Sequence, residues 1–84
     1  MSLHDNYNKK QPVYWENTSG GHQKFWAASI LQERNGEYIL VRKWGKIGTK
    51  GQSMEQTFNT LYTAKDALRK LIWDKENKGY KGKF

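Results

Sequence analysis

"KFWAASILQERNGEYILVRKWGK", residues 24–46, is the stretch on which the fold turns. Two runs rich in β-branched and aromatic residues flank Asn35-Gly36. That pair is the strongest short-range hairpin signal, because both residues tolerate the positive φ of a two-residue type I′ turn. A two-residue turn dictates the register. Arg34 faces Glu37, Leu31 faces Leu40, Ile30 faces Val41, Ser29 faces Arg42, Ala27 faces Trp44 and Trp26 faces Gly45. Side chains alternate along a strand, so the hairpin has two faces. Trp26, Ala28, Ile30, Ile39 and Val41 form the expected core face, and Phe25, Ala27, Ser29, Leu31, Leu40, Arg42, Trp44 and Lys46 the other. In this register Trp26 covers the bare backbone of Gly45. Trp44 meets only the small Ala27, so either another element covers its indole or a ligand does.

Downstream, Arg42–Gln52 (RKWGKIGTKGQ) carries four cations, and no acid occurs from Tyr38 to Met54. Gly45, Gly48 and Gly51 are spaced three apart. This pattern matches neither nucleotide-binding glycine loop, and no helix start follows it, so the glycines are expected to serve turns. "SMEQTFNT" (53–60) alternates as a strand. Thr63-Ala64-Lys65-Asp66 resembles a capping box opening a helix. Ala64, Ala67, Leu68, Leu71, Ile72 and Lys75 then fall at helical spacing, with Lys65, Asp66, Arg69, Lys70 and Asp74 on a solvated face and Trp73 covering the stripe's edge. Gly79 is a natural stop, and Lys75 and Lys78 suit the negative end of the helix dipole.

Upstream, "PVYWEN" (12–17) reads as a short strand and "TSGGH" (18–22) as a loop. Residues 1–11 read as a disordered leader, 12–80 as one domain and 81–84 as a basic tail, with Tyr80 a candidate to dock on the sheet. The expected class is α+β: a twisted antiparallel sheet of about four strands with one C-terminal helix across one face.

Composition narrows the function. The chain has 84 residues and no cysteine, which excludes disulfides and thiolate metal or nucleophile chemistry. His4 and His22 stand apart from each other, no paired-carboxylate motif occurs and no cofactor motif is present, so the domain is expected to be non-catalytic, without metal or cofactor. Net charge is +7, with residues 1–23 neutral, residues 24–52 at +4 and residues 53–84 at +3. An excess of this sign favours phosphates or an anionic surface as partner. No apolar run approaches the roughly 20 residues of a membrane span, and the first residues lack the apolar stretch of a signal peptide. A monomer in the cytoplasm is expected, nucleoid-associated in a bacterium.

An indole among ammonium groups is the usual arrangement for stacking on a base or sugar while cations hold phosphate. Trp44, with Arg42, Lys43 and Lys46 around it, is the candidate centre of such a surface. The bland alternative is a strand tryptophan partly buried in the core. A protein partner received on the sheet face of Phe25, Leu31, Leu40 and Trp44 is a further alternative, as is RNA in place of DNA.

These residues also resemble a known family. "YWENTSGGHQKFW" followed by "WGKIGTKGQ", "TF", a helix and "DKENKGY" is similar to a WGR domain over about Val13 to Tyr80. The resemblance implies an antiparallel sheet crossed by a helix. It also implies recognition of DNA ends or nicks, because WGR domains of DNA-dependent poly(ADP-ribose) polymerases sense DNA breaks. Carried over by position, Trp44 matches the stacking residue and Lys46 the motif arginine. Lys24 matches a lysine near the 5′ phosphate, and Lys50 and Gln52 fall in the loop that follows. The chain departs from the triplet in having Lys46, which keeps the charge but loses the planar fork of arginine. It resembles the bacterial-type WGR modules that occur alone or beside other domains.

Overall fold

In the computed structural model, which describes residues 13–83, the hairpin is present but its turn is one residue longer than expected. Gly36 N–H donates to the Glu33 carbonyl (3.1 Å), and Glu33 N–H donates to the Glu37 carbonyl (2.8 Å). Arg34, Asn35 and Gly36 therefore form a three-residue loop, a tight turn followed by Gly36 at φ 86°, where a side chain would be strained. Asn35 works through its side chain: Oδ1 accepts from Glu37 N–H (3.0 Å), and Nδ2 donates to Glu37 Oε1 (2.7 Å).

The strands are β1 (Val13–Asn17), β2 (Lys24–Gln32), β3 (Tyr38–Lys46), β4 (Gln52–Phe58) and β5 (Lys81–Gly82). They form one antiparallel sheet in the order β4-β3-β2-β1-β5. The longer turn sets Trp26 opposite Trp44, Phe25 opposite Gly45, Ile30 opposite Leu40 and Ala28 opposite Arg42. A slip of one residue moves every β3 side chain to the other face. Leu40, Arg42, Trp44 and Lys46 thus join Trp26, Ala28 and Ile30, while Ile39 and Val41 leave the expected core face. Leu40 is fully buried, whereas Ile39 and Val41 are only half-buried. The ring that covers Gly45 is Phe25, not Trp26.

One helix, α1 (Leu61–Asn77), packs across this face and buries Ala64, Leu68 and Ile72. It begins earlier than the expected capping box. Thr60 is the N-cap, and its hydroxyl accepts from Thr63 N–H (3.1 Å), so Thr63 lies inside the helix. Trp73 is 71% exposed and covers no edge, because it sits about 100° around the helix from Ile72. The core consists of Val13, Trp15, Trp26, Ala28, Ile30 and Leu40 from the sheet under the three helix residues. Trp15 and Trp26 meet with ring centroids 5.5 Å apart at a tilt of 56°.

The helix ends in a Schellman motif. Gly79 N–H donates to Glu76 O and Tyr80 N–H to Lys75 O (3.1 Å), which turns Tyr80 back toward the sheet. Asn17, buried at the end of β1, donates from Nδ2 to the Lys78 carbonyl (3.2 Å) and accepts through Oδ1 from Ser19 Oγ (2.6 Å). Trp15 Nε1 donates to Glu76 Oε2 (3.1 Å). The helix C-terminus is thereby tied to β1 through two hydrogen bonds. Lys81 and Gly82, read as part of the tail, add the fifth strand beside β1. The expected leader and Phe84 lie outside the described residues.

Candidate nucleic-acid interface

Of the three glycines in Trp44–Gln52, Gly45 and Gly51 meet a packing requirement, while Gly48, at φ 89° with open space around it, serves a turn. Ile47 N–H donates to Gln23 O (2.9 Å), and Thr49 closes a turn onto Lys46 O through its N–H (3.1 Å) and its hydroxyl (2.7 Å). The loop then doubles back so that Gly51, at φ 67°, lies on the Trp44 carbonyl and against Gly45. A Cβ on Gly51 would collide with that carbonyl, so no other residue fits without backbone movement. This close approach holds the ends of β3 and β4 together and presents Trp44 and Lys46 at one corner of the sheet.

At that corner lies a groove of about 670 Å³. One wall is the β1–β2 loop, Gly21 to Gln23. The floor is Lys24 and Trp44–Lys46 at the adjoining ends of β2 and β3, and Tyr80 closes the third side. None of these lining residues is acidic. Trp44 is half-buried: it packs against the core and also lines the groove. The indole is therefore not sealed beneath the helix, although it lies on the helix side of the sheet and not on the open side.

The electrostatics of the corner are one-sided. Lys24 and Lys46 are cross-strand partners on the same face, an arrangement that destabilises a sheet in the absence of a counter-charge. Arg42 lies on this face as well. Its guanidinium reaches Met54 Sδ, while Nε is buried with no hydrogen-bond partner among the described residues. Lys75 on the helix stands over the Tyr80 ring, 5.4 Å from its centroid. Burial holds the Lys75 amine below its ordinary 10.5; Lys78 adds to this, Asp74 opposes it, and Arg42 and Lys24 lower it further. The cations of β2, β3 and the helix end thus share one field.

Five of the seven residues expected at the interface sit at or beside this corner. Trp44, Lys24 and Lys46 line the groove, Arg42 lies on the same face, and Gln52 pairs with Trp44 on β4. Lys50 is exposed in the β3–β4 loop and lines no part of the groove. Lys43 is a correction: opposite Ala27 and Ser53, it lies on the face away from the helix. The expected protein-binding face is corrected too. Leu40 is buried, Trp44 is on the other side, and Phe25 is buried against Tyr14 in a stacked pair with centroids 5.9 Å apart, leaving Leu31 exposed. The sequence points Tyr80 toward the sheet but does not bring it or His22 to the groove beside Trp44, because the two lie 36 and 22 residues away in the chain. Among the described residues no group of His, Asp or Glu could hold a metal ion, and no helix is long and apolar enough to cross a membrane.

Five antiparallel strands crossed by one helix, with an aromatic groove edged by ammonium groups, define a small α+β module. The chain belongs to the WGR domain family, whose model matches residues 11–83. It is 38% identical over 58 residues to the uncharacterized protein y4dW of Sinorhizobium fredii, covering 69% of this chain and 28% of that one. It is 51% identical over 48 residues to protein YehF of Escherichia coli, covering 57% and 17%. It is 27% identical over 75 residues to protein mono-ADP-ribosyltransferase PARP3 of Mus musculus, covering 89% and 14%. A crystal structure of a protein from Bacteroides fragilis superposes with a TM-score of 0.72 at 28% identity, over 88% of this chain and 20% of that one. The chain thus spans less than a third of each of these proteins. The WGR domain is itself a non-catalytic domain, so an enzymatic relative does not make this module an enzyme.

Proposed function

We propose that this domain binds DNA, at ends or nicks, through the groove between Trp44, Lys24, Lys46 and Tyr80. The observation that carries the reading is a half-buried indole lining a groove whose charged lining residues are lysines and which contains no carboxylate. Stacking by an aromatic ring is tolerant of base identity, and ammonium groups hold phosphate without reading sequence. The like-charged pair Lys24 and Lys46, with Arg42 and Lys75 behind it, is relieved by an anion between them. The family's association with nucleic acid in poly(ADP-ribose) polymerases supports the same reading. Lys46 in place of the motif arginine keeps the charge as a point contact without a bidentate fork.

The test is a titration of blunt, nicked and covalently closed duplexes at several salt concentrations. Binding should favour duplexes with a terminus or nick and weaken with salt at a slope of about −0.9 for each phosphate neutralised. Equal affinity for closed and interrupted DNA would reduce the site to generic phosphate binding. Affinity that survives high salt would favour a protein partner instead.

A further inference from the structure

We propose that the groove takes one unpaired nucleotide at a DNA terminus, not the flat end of a closed base pair. The inference rests on the DNA reading above and sharpens its substrate. Two rings from different parts of the chain, Trp44 on β3 and Tyr80 beyond the helix, line the same groove, with the β1–β2 loop as its third wall. The groove is open on its outer side, and its volume of about 670 Å³ leaves room for a base with its sugar. A base held in a terminal pair is already stacked and hydrogen-bonded in the duplex and cannot turn in between the two rings without unpairing. A single base can enter, lie against the aromatic side chains and leave its phosphate to Lys24 and Lys46 at the floor.

The walls are held in place before any ligand arrives. Ile47 N–H on the Gln23 carbonyl ties the β1–β2 loop to the β3–β4 loop (2.9 Å). Asn17 on the Lys78 carbonyl ties the end of β1 to the helix end (3.2 Å). Tyr80 is positioned by its N–H on Lys75 O (3.1 Å) and by the Lys75 ammonium over its ring. A preorganised slot of this kind spends little on ordering itself. A blunt end must first open its terminal pair, whereas an overhang is already single-stranded, and unstacking costs least there.

The experiment uses a hairpin duplex with one open end, either blunt or carrying one extra nucleotide on the 5′ or 3′ strand, with 2-aminopurine as the extra base. Anisotropy at fixed salt should show the overhang binding about tenfold more tightly than the blunt end in at least one polarity, the equivalent of one base step. Binding should also quench the 2-aminopurine by ring stacking. Tyr80→Ala should abolish the preference of the overhang over the blunt end, whatever it does to overall affinity; Tyr80→Phe, which keeps the ring, should retain it. Quenching in the unaltered protein gives a readout that does not depend on Tyr80→Ala folding. Equal affinity for blunt and overhanging ends, or an unquenched overhang base, would overturn the slot while leaving end binding intact. Failure to bind any of these duplexes would overturn the DNA reading itself.

Discussion

The two faces of the sheet come from the same five strands, yet they differ in charge. On the helix side the strands carry Lys24, Arg42 and Lys46 and not one carboxylate. On the other side Lys43 and Lys81 share the surface with Glu16 and Glu55. The net charge of +7 is therefore not spread evenly. Within the strands its whole excess sits beside the core, where the helix end adds Lys75, while Lys78 there is paired with Asp74 (3.1 Å) and Glu76 accepts from Trp15. Neighbours in sequence such as Arg42 and Lys43 part company across the sheet, while Lys24, Lys46 and Lys75 converge. Cationic density along a β-strand adds up to a single positive patch only for those residues that share a face.

The sharpest way to break this comparison is to truncate one residue on each side of β3. Leu40→Ala, at a fully buried position, should cost about 2–5 kcal/mol in urea unfolding, against less than about 1.5 kcal/mol for Val41→Ala. The reverse order would mean that the strand pairs in the two-residue-turn register. Next in size is Gly51→Ala, expected to destabilise by roughly 1–3 kcal/mol, because its backbone sits at φ 67° with its Cβ position on the Trp44 carbonyl. A melting temperature unchanged by that substitution would show that the loop does not hold the groove's corner.

Binding separates the faces on a smaller scale. Trp44→Ala should weaken DNA binding by about 1–3 kcal/mol, as expected for a lost stacking ring. Lys24→Ala and Lys46→Ala should each lower the salt slope by about one, whereas Lys43→Ala on the far face should leave it unchanged. An equal loss at Lys43 would move the interface to the other side. The smallest effect concerns pH. The Lys75 amine is held below its ordinary 10.5, so its positive charge costs the folded state stability below that lowered value. The cost is relieved as pH rises through it toward 10.5. A phosphate bound nearby raises the amine again, so binding takes up protons and affinity falls as pH rises through that window. Lys75→Met should flatten this part of the pH profile; a profile unaltered by the substitution would separate Lys75 from the site.

Much of this architecture was legible beforehand because it depends on local physics. Alternation marked the strands of the hairpin, helical spacing picked out Ala64, Leu68 and Ile72, and polarity placed Arg69 and Lys70 outside. The helix starts a few residues before the expected capping box because the hydroxyl of Thr60 accepts from a free helical N–H, leaving Thr63 inside the helix. The glycine triplet reads as turns in the sequence, but the close approach of Gly51 to the Trp44 carbonyl becomes visible only once two strands are paired.

Residue order alone thus determined which segments extend or coil, where the positive charge lies along the chain, and that Trp44 stands among cations. It did not determine which way Trp44 faces. That depended on one extra residue in the turn at Arg34–Gly36, a choice coupled to burying Leu40 beneath a helix more than 20 residues downstream. It also did not bring Tyr80 into the groove of the indole or Lys75 over Tyr80, since hydrogen bonds between β1 and the helix end set their place. Both decisions belong to tertiary structure because a pairing register and a docked helix are stabilised by contacts between distant segments, which local propensity does not contain.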